Sequence, residues 1–222
     1  VSGEITHPMK GRPPYNISAG GEPVGLPGTG SITLNARVGD SAIDWEADHV
    51  EPGASFSHMT DKDNRRDRNN YAFNVLSCLG NRAELISGEA EGEQGTVVGK
   101  HGGIEHVMID FPEETLQKLR IGDSVQVRAR GVGLEFPGIE TVKPINCSPS
   151  LIRALDLDWD GDTLSVPVTH TLPARIMGSG LGADNTNRGD YDIQMFDDEV
   201  VEEYDLDSLR FGDVVAITNA DH

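Results

Sequence analysis

Two short stretches carry side chains of the types and spacing that acid–base or metal chemistry uses. In Asp48-His49-Val50-Glu51 an imidazole sits between two carboxylates, and Pro52-Gly53 turns the chain directly afterwards. In Lys100-His101-Gly102-Gly103-Ile104-Glu105-His106 two imidazoles and a carboxylate surround a Gly-Gly turn. Imidazole and carboxylate together suit Zn²⁺, Mn²⁺ or Fe²⁺, and they equally suit a general acid and base. His49, Glu51, His101 and His106 are therefore assigned as catalytic groups. Asp48, His49, His101 and His106 are assigned as ligands for a divalent metal ion. The second stretch differs from the inverted zinc-protease motif HxxEH by one extra residue, and Gly-Gly forbids the helix that motif needs. His58 belongs to the same polar neighbourhood as Glu51.

Further along, Met177-Gly178-Ser179-Gly180-Leu181-Gly182 precedes Gly189-Asp190-Tyr191-Asp192. Glycine lets backbone amides approach a ligand, and consecutive amides can cradle an anion. Gly178, Ser179, Gly180, Asp190 and Asp192 are assigned to ligand binding. The spacing matches neither the dinucleotide fingerprint nor the Walker loop, so no nucleotide is implied. The run Asp156-Leu157-Asp158-Trp159-Asp160-Gly161-Asp162 resembles the first half of a calcium loop, but Pro167 stands where the bidentate acid is required. It reads as a solvated acidic turn. Neither a Ser–His–Asp arrangement nor a GxSxG elbow is legible. Cys78 and Cys147 lack ligand spacing and read as thiols of a reduced intracellular protein, Cys78 buried within the apolar run Val75–Leu79.

The elements that must position these groups form a β-rich α+β fold, with short strands entered by repeated Gly-Asp turns and few short helices. Apolar alternation predicts strands at 32–38, 83–86, 95–98 and 106–111. On the last, His106, Met108 and Asp110 share a face opposite Val107, Ile109 and Phe111. Residues 56–70 read as a polar loop, and Tyr71–Gly80 as a strand or a short helix. The segment Glu113–Val127 has a counterpart in Asp205–Ile217, a weaker copy in Leu151–Val166 and a fainter one in Arg37–Ala42. In each, glycine ends a short helical turn, aspartate bonds the turn's amides, and a strand leaves. The chain divides near residue 145, giving an N-terminal β-rich domain (1–145) and a C-terminal α+β segment (146–222). The strand Val214–Ile217 requires a partner: another strand of this chain, a second subunit, or a following segment.

Composition narrows the partners. Among 222 residues, 37 are acidic and 18 basic, a formal net charge of −19. Phosphate contacts need a basic face, so nucleic acid and anionic membrane surfaces are excluded as partners. No run approaches the roughly 20 apolar residues of a membrane helix. Acid excess with scarce lysine points to a halophilic protein of a salt-rich cytoplasm. A small molecule, and a second copy of the chain, are the partners left.

Three groups of residues resemble a known family. They are Pro27–Gly30 with Val38–Ala42 and Ala47–Gly53, then Gly99–Gly103 with Glu105–Val107, and finally Met177–Gly180 with Gly189–Gln194. The chain resembles, over nearly its whole length, the prokaryotic family described as domain of unknown function 4438. The resemblance implies no established activity. It implies a segment beyond His222, removed by truncation or processing. The expected function is metal-assisted hydrolysis or elimination on a small molecule; the alternatives are a non-catalytic metabolite- or metal-binding protein and a structural oligomer.

Overall fold

The computed structural model describes residues 1–5, 16–17, 23–24, 34–35, 53–58, 67–101, 106–176, 193, 197–210 and 212–219, with the backbone alone at 16–17, 23–24, 34–35 and 101. Six antiparallel strands close into a barrel. In order around it they are β1 (Ser2–Ile5), β9 (Ser124–Val127), β6 (Arg82–Leu85), β7 (Gln94–His101), β8 (His106–Asp110) and β5 (Gly53–Ser57), which returns to β1. Closure leaves these six strands without a free edge. A short strand β4 (Leu34–Asn35) pairs with the start of β5, and β2 (Asn16–Ile17) pairs with β3 (Pro23–Val24).

Alternation fills the interior. Ile5, Ala54, Phe56, Ala83, Leu85, Val97, Val107, Ile109, Val125 and Val127 are buried in one cluster with Phe73 of helix α1 (Arg68–Leu76). Tyr71–Leu76 are helical rather than extended, because Asp67 caps the helix by accepting from the Asn69 amide at 2.7 Å. The loop reading of 56–70 needs correction at both ends. Phe56 and Ser57 complete β5, and Arg68–Asn70 open α1. Every residue of β5 is buried, so its small side chains show no in–out alternation to read.

Beyond the barrel, α2 (Glu113–Leu116) leads to β9, and α3 (Pro149–Ala154) begins at Ser148, whose hydroxyl accepts from the Leu151 amide at 3.1 Å. The exposed hairpin β10 (Asp158–Trp159) and β11 (Leu164–Ser165) follows. Asp160 accepts the amides of Asp162 and Thr163 at 2.9 and 2.8 Å, which holds its carboxyl below the usual carboxylate range. Strands β12 (His170–Pro173) and β13 (Val215–Thr218) then pair in parallel, so the last strand has a partner within the chain. Helix α4 (Asp198–Tyr204), a 3-10 turn at Leu206–Ser208 and β12 enclose a second, smaller core of Leu172, Ile176, Leu206 and Leu209.

Two turns share their bonding. At Arg120–Asp123, the Asp123 carboxylate accepts the Arg120 amide at 2.8 Å, and the Arg120 guanidinium donates to the carbonyls of Gln117 and Leu119. At Arg210–Asp213, the Asp213 carboxylate accepts the Arg210 amide at 2.7 Å, and Arg210 donates to the carbonyls of Asp207 and Leu209. Gly122 and Gly212 have φ of 99° and 96°, where a Cβ is disfavoured. The Leu151–Val166 copy differs: there Asp160, not Asp162, accepts the amides.

Candidate functional site

The residues assigned from sequence divide by where they fall. Asp48, His49, Glu51, Gly178, Ser179, Gly180, Asp190 and Asp192 lie outside the described residues. The β7–β8 ladder sets His101 opposite His106. His106 is fully buried at the start of β8, the strand that also carries the partly exposed Met108 and Asp110. His58 does structural work: its Nδ1 donates to the Ser2 carbonyl at 2.6 Å, and its amide donates to Asn70 Oδ1 at 2.9 Å. Among the described residues, no three His, Cys, Asp or Glu side chains converge as metal ligands.

On the barrel, burial pushes the Asp110 carboxyl up, opposed by the Phe111 amide. Burial likewise raises the Cys78 thiol and lowers the Lys100 amine, and the two partly offset each other through their charges.

A different set of groups converges at the other end of the chain. An open cleft of 530 Å³ is lined by Thr169, His170 and Thr171 before and on β12, Glu203 and Tyr204 at the end of α4, and Asp205, Ser208, Arg210 and Asp213 beyond it. Its geometry follows from how α4 starts and stops. Asp197 caps the N-terminus by accepting the Glu199 and Val200 amides, while Asp198 and Glu199 complement the helix dipole. The chain leaves α4 at Asp205 in the left-handed conformation, φ 53° and ψ 40°. Aspartate tolerates that region better than most residues, and a non-glycine residue held there is a frequent mark of functional sites. This reversal folds the 3-10 turn back so that Ser208 meets both Asp205 and His170.

The hydrogen bonds define one network. Ser208 Oγ lies 2.7 Å from Asp205 Oδ2 and 2.9 Å from His170 Nε2. His170 Nε2 is also 3.1 Å from the Asp205 carbonyl. A carbonyl and a carboxylate only accept. These partners assign the proton: Nε2–H donates towards Asp205 and Ser208, and Ser208 donates to the carboxylate. Thr169 Oγ1, 2.9 Å from Nδ1, then donates to the ring's other nitrogen. His170 is half-buried, whereas Asp205 and Ser208 are exposed to the cleft. Arg175 borders the site, donating to the Tyr204 hydroxyl at 2.6 Å with its guanidinium 5.7 Å from the ring centroid.

Sequence reasoning missed this constellation. Ser208 and His170 are 38 positions apart, and their meeting depends on the left-handed turn at Asp205. The Thr169-His170-Thr171 triplet, with hydroxyls on both sides of one imidazole, was the available signal.

Comparison with known proteins finds two family models in succession along the chain. The family models described as "Domain of unknown function (DUF4438), N-terminal" and "Domain of unknown function (DUF4438), C-terminal" match residues 15–153 and 154–222. The chain belongs to this family. The two models meet at the end of α3. A solved structure described as "Crystal structure of TM1086" is 40% identical to the chain, with a TM-score of 0.76 over 98% of this chain and 73% of the other. No curated protein matches the sequence.

Proposed function

We propose that this DUF4438 protein is a small-molecule hydrolase or lyase whose reactive groups are Asp205, His170 and Ser208 of the C-terminal cleft. The observation that carries the reading is the shared hydroxyl: Ser208 Oγ bonds a carboxylate on one side, at 2.7 Å, and an imidazole N–H on the other, at 2.9 Å. Asp205 is the base, taking a proton from Ser208 or from a substrate hydroxyl or water in its place. His170, through Nε2–H, donates a hydrogen bond to the leaving oxygen as negative charge develops on it. Thr169 keeps the imidazole in the tautomer this requires. Positioned groups of this kind accelerate proton transfer by roughly 10²–10⁴-fold.

The charge around the cleft favours a neutral or cationic substrate. Glu203, Asp205 and Asp213 outnumber Arg210, whose guanidinium is already engaged by two backbone carbonyls. Residues 154–222 hold sixteen carboxylates and three arginines, so they carry −13 of the chain's −19. That field repels anions approaching the cleft.

The test is a turnover screen of the full chain on neutral and amine-bearing esters, amides, lactones and hydroxy compounds. Asp205→Asn and His170→Gln are the controls. Activity should fall about 100-fold or more in both variants with unchanged melting temperature. Equal activity in the variants overturns the site. A ligand that binds in the cleft without turnover favours the non-catalytic alternative.

A further inference from the structure

The hairpin β10–β11 and the helix α3 before it have no core of their own. From Pro149 to Thr171 no residue is buried. A ladder of two strands is marginal in water unless a third strand or a helix packs against it. Trp159 stands opposite Leu164 in this ladder, so the two share one face. Trp159 is 38% exposed, and Val166 and Val168, next along the chain, are each 44% exposed. Carboxylates frame them: residues 156–168 contain Asp156, Asp158, Asp160 and Asp162 and no basic residue.

Helix α1 offers the converse surface. Asn70, Phe73 and Asn74 are its buried side. Tyr71 with Val75, and Ala72 with Leu76, are exposed as neighbouring pairs on the other side. The helix has no acidic side chain, and Arg68 is exposed in its first turn. In sequence, residues 62–68 hold Lys62, Arg65, Arg66 and Arg68, against Asp63 and Asp67. Of these two carboxylates, Asp67 is buried as the helix cap. Both apolar surfaces are exposed in the one chain, so neither covers the other within it.

We propose that these surfaces are the two halves of one contact between copies of this chain, in which β10–β11 of one copy packs on α1 of another. Apolar side chains supply the affinity, with Trp159 and Tyr71 as anchors, since aromatic residues dominate the centres of interfaces. The opposite charges around them decide which surfaces meet. Hairpin on hairpin would bring two sets of four carboxylates together, and helix on helix would oppose two arginine-bearing ends. A contact between unlike surfaces closes as a reciprocal pair or a ring. The cleft groups His170, Asp205 and Ser208 take no part in it, so it is tested separately from activity.

The test is complementation between two variants of the full chain, each altered at an exposed position. Over a dilution series in sedimentation velocity, the parent should form dimers or larger species. Trp159→Ser and Val75→Asp should each weaken association by more than about tenfold, while circular dichroism shows the parental fold. Mixed in equal amounts, the two variants should form a heterodimer and nothing larger. The hairpin is intact in Val75→Asp and the α1 face is intact in Trp159→Ser, so one contact is restored. Tyr71→Ser in place of Val75→Asp should give the same mixture. A parent that is monomeric at every concentration overturns the proposal. So does a Val75→Asp variant that associates as the parent does, or a mixture that stays monomeric.

Discussion

The turns at Arg120–Asp123 and Arg210–Asp213 have matching bonds and opposite surroundings. Around the first, the Gly122 amide donates to the Ile5 carbonyl and the Ile5 amide donates to the Asp123 carbonyl, both at 3.0 Å, which laces the turn into β1. Asp123 is 8% exposed. The second turn leads into a parallel pair of only two strands, and its Arg210 and Asp213 line the open cleft. The same local sequence therefore makes the same turn in both places, and what surrounds the turn decides its use. Laced to the barrel, it has its aspartate covered and serves stability. Beside a two-stranded ladder it is left bare, and polar groups gather where ligands can reach them.

The largest expected effects separate the two cores. Phe56→Ala removes a fully buried ring from the barrel cluster and should cost about 3–5 kcal/mol in urea denaturation. Leu172→Ala, in the smaller core, should lower protection of 170–218 against proteolysis while the barrel transition stays in place. A single transition that moves equally in both variants would break the contrast between the regions.

The turns themselves give the next effect. Asp123→Ala leaves the Arg120 amide without its acceptor beside the barrel and should cost about 1–3 kcal/mol, while Asp213→Ala, where water can replace the carboxylate, should cost less. Gly122→Val and Gly212→Val provide the calibration. Nothing lies within 4 Å of a Cβ at either glycine, so both should pay only the left-handed backbone penalty, about 1–2 kcal/mol. Unequal losses at the two glycines would show that the turns are not equivalent.

How far the sequence was readable follows the same contrast. Strands 83–86, 95–98 and 106–111 alternated because one face of each meets the barrel interior, and they lie within β6, β7 and β8 or overlap their ends. Gly53–Ser57 did not alternate, being buried throughout. The helix over Arg68–Leu76 was ambiguous from its apolar run, and its deciding feature was the cap at Asp67. His106 was assigned as a ligand because two imidazoles and a carboxylate surround the Gly102-Gly103 turn, and its burial at a strand start is a tertiary outcome with no local signature. The cleft was illegible for a related reason. Its imidazole lies on β12, its hydroxyl and carboxylate on the far side of α4, and only the reversal at Asp205 joins them.

Asp110 gives a smaller, pH-dependent effect on the barrel. Burial raises its carboxyl in the fold above the unfolded value, so ionisation opposes folding. The stability associated with its protonated form is complete below the unfolded value and is lost as pH rises through the raised folded one. Asp110→Asn should therefore match the parent in acid and exceed it at neutral pH, by less than about 1 kcal/mol after allowance for partial solvent screening. Denaturation midpoints at the two pH values check the sign, and a variant less stable at neutral pH would contradict it.

Salt should produce the smallest shift and the most uneven one. With −13 of the −19 charges on residues 154–222, charge per residue is greatest there, whereas residues 1–153 carry −6 over more than twice the length. The screening length shortens from about 10 Å at 0.1 M to about 3 Å at 1 M salt, so raising KCl relieves the C-terminal unit most. Trp45 and Trp159 are the two tryptophans of the chain. In a Trp45→Phe variant, fluorescence reports Trp159 in the β10–β11 hairpin, and circular dichroism reports mostly the barrel. The fluorescence midpoint should climb by a few degrees on going to molar KCl, with less change in the circular dichroism midpoint. A flat fluorescence midpoint would remove the halophilic reading, because the region with the greatest charge density would then have gained nothing from screening. Equal rises by both probes would instead locate the effect in general exclusion of salt from protein surface, and the electrostatic difference between barrel and cleft would lose its support.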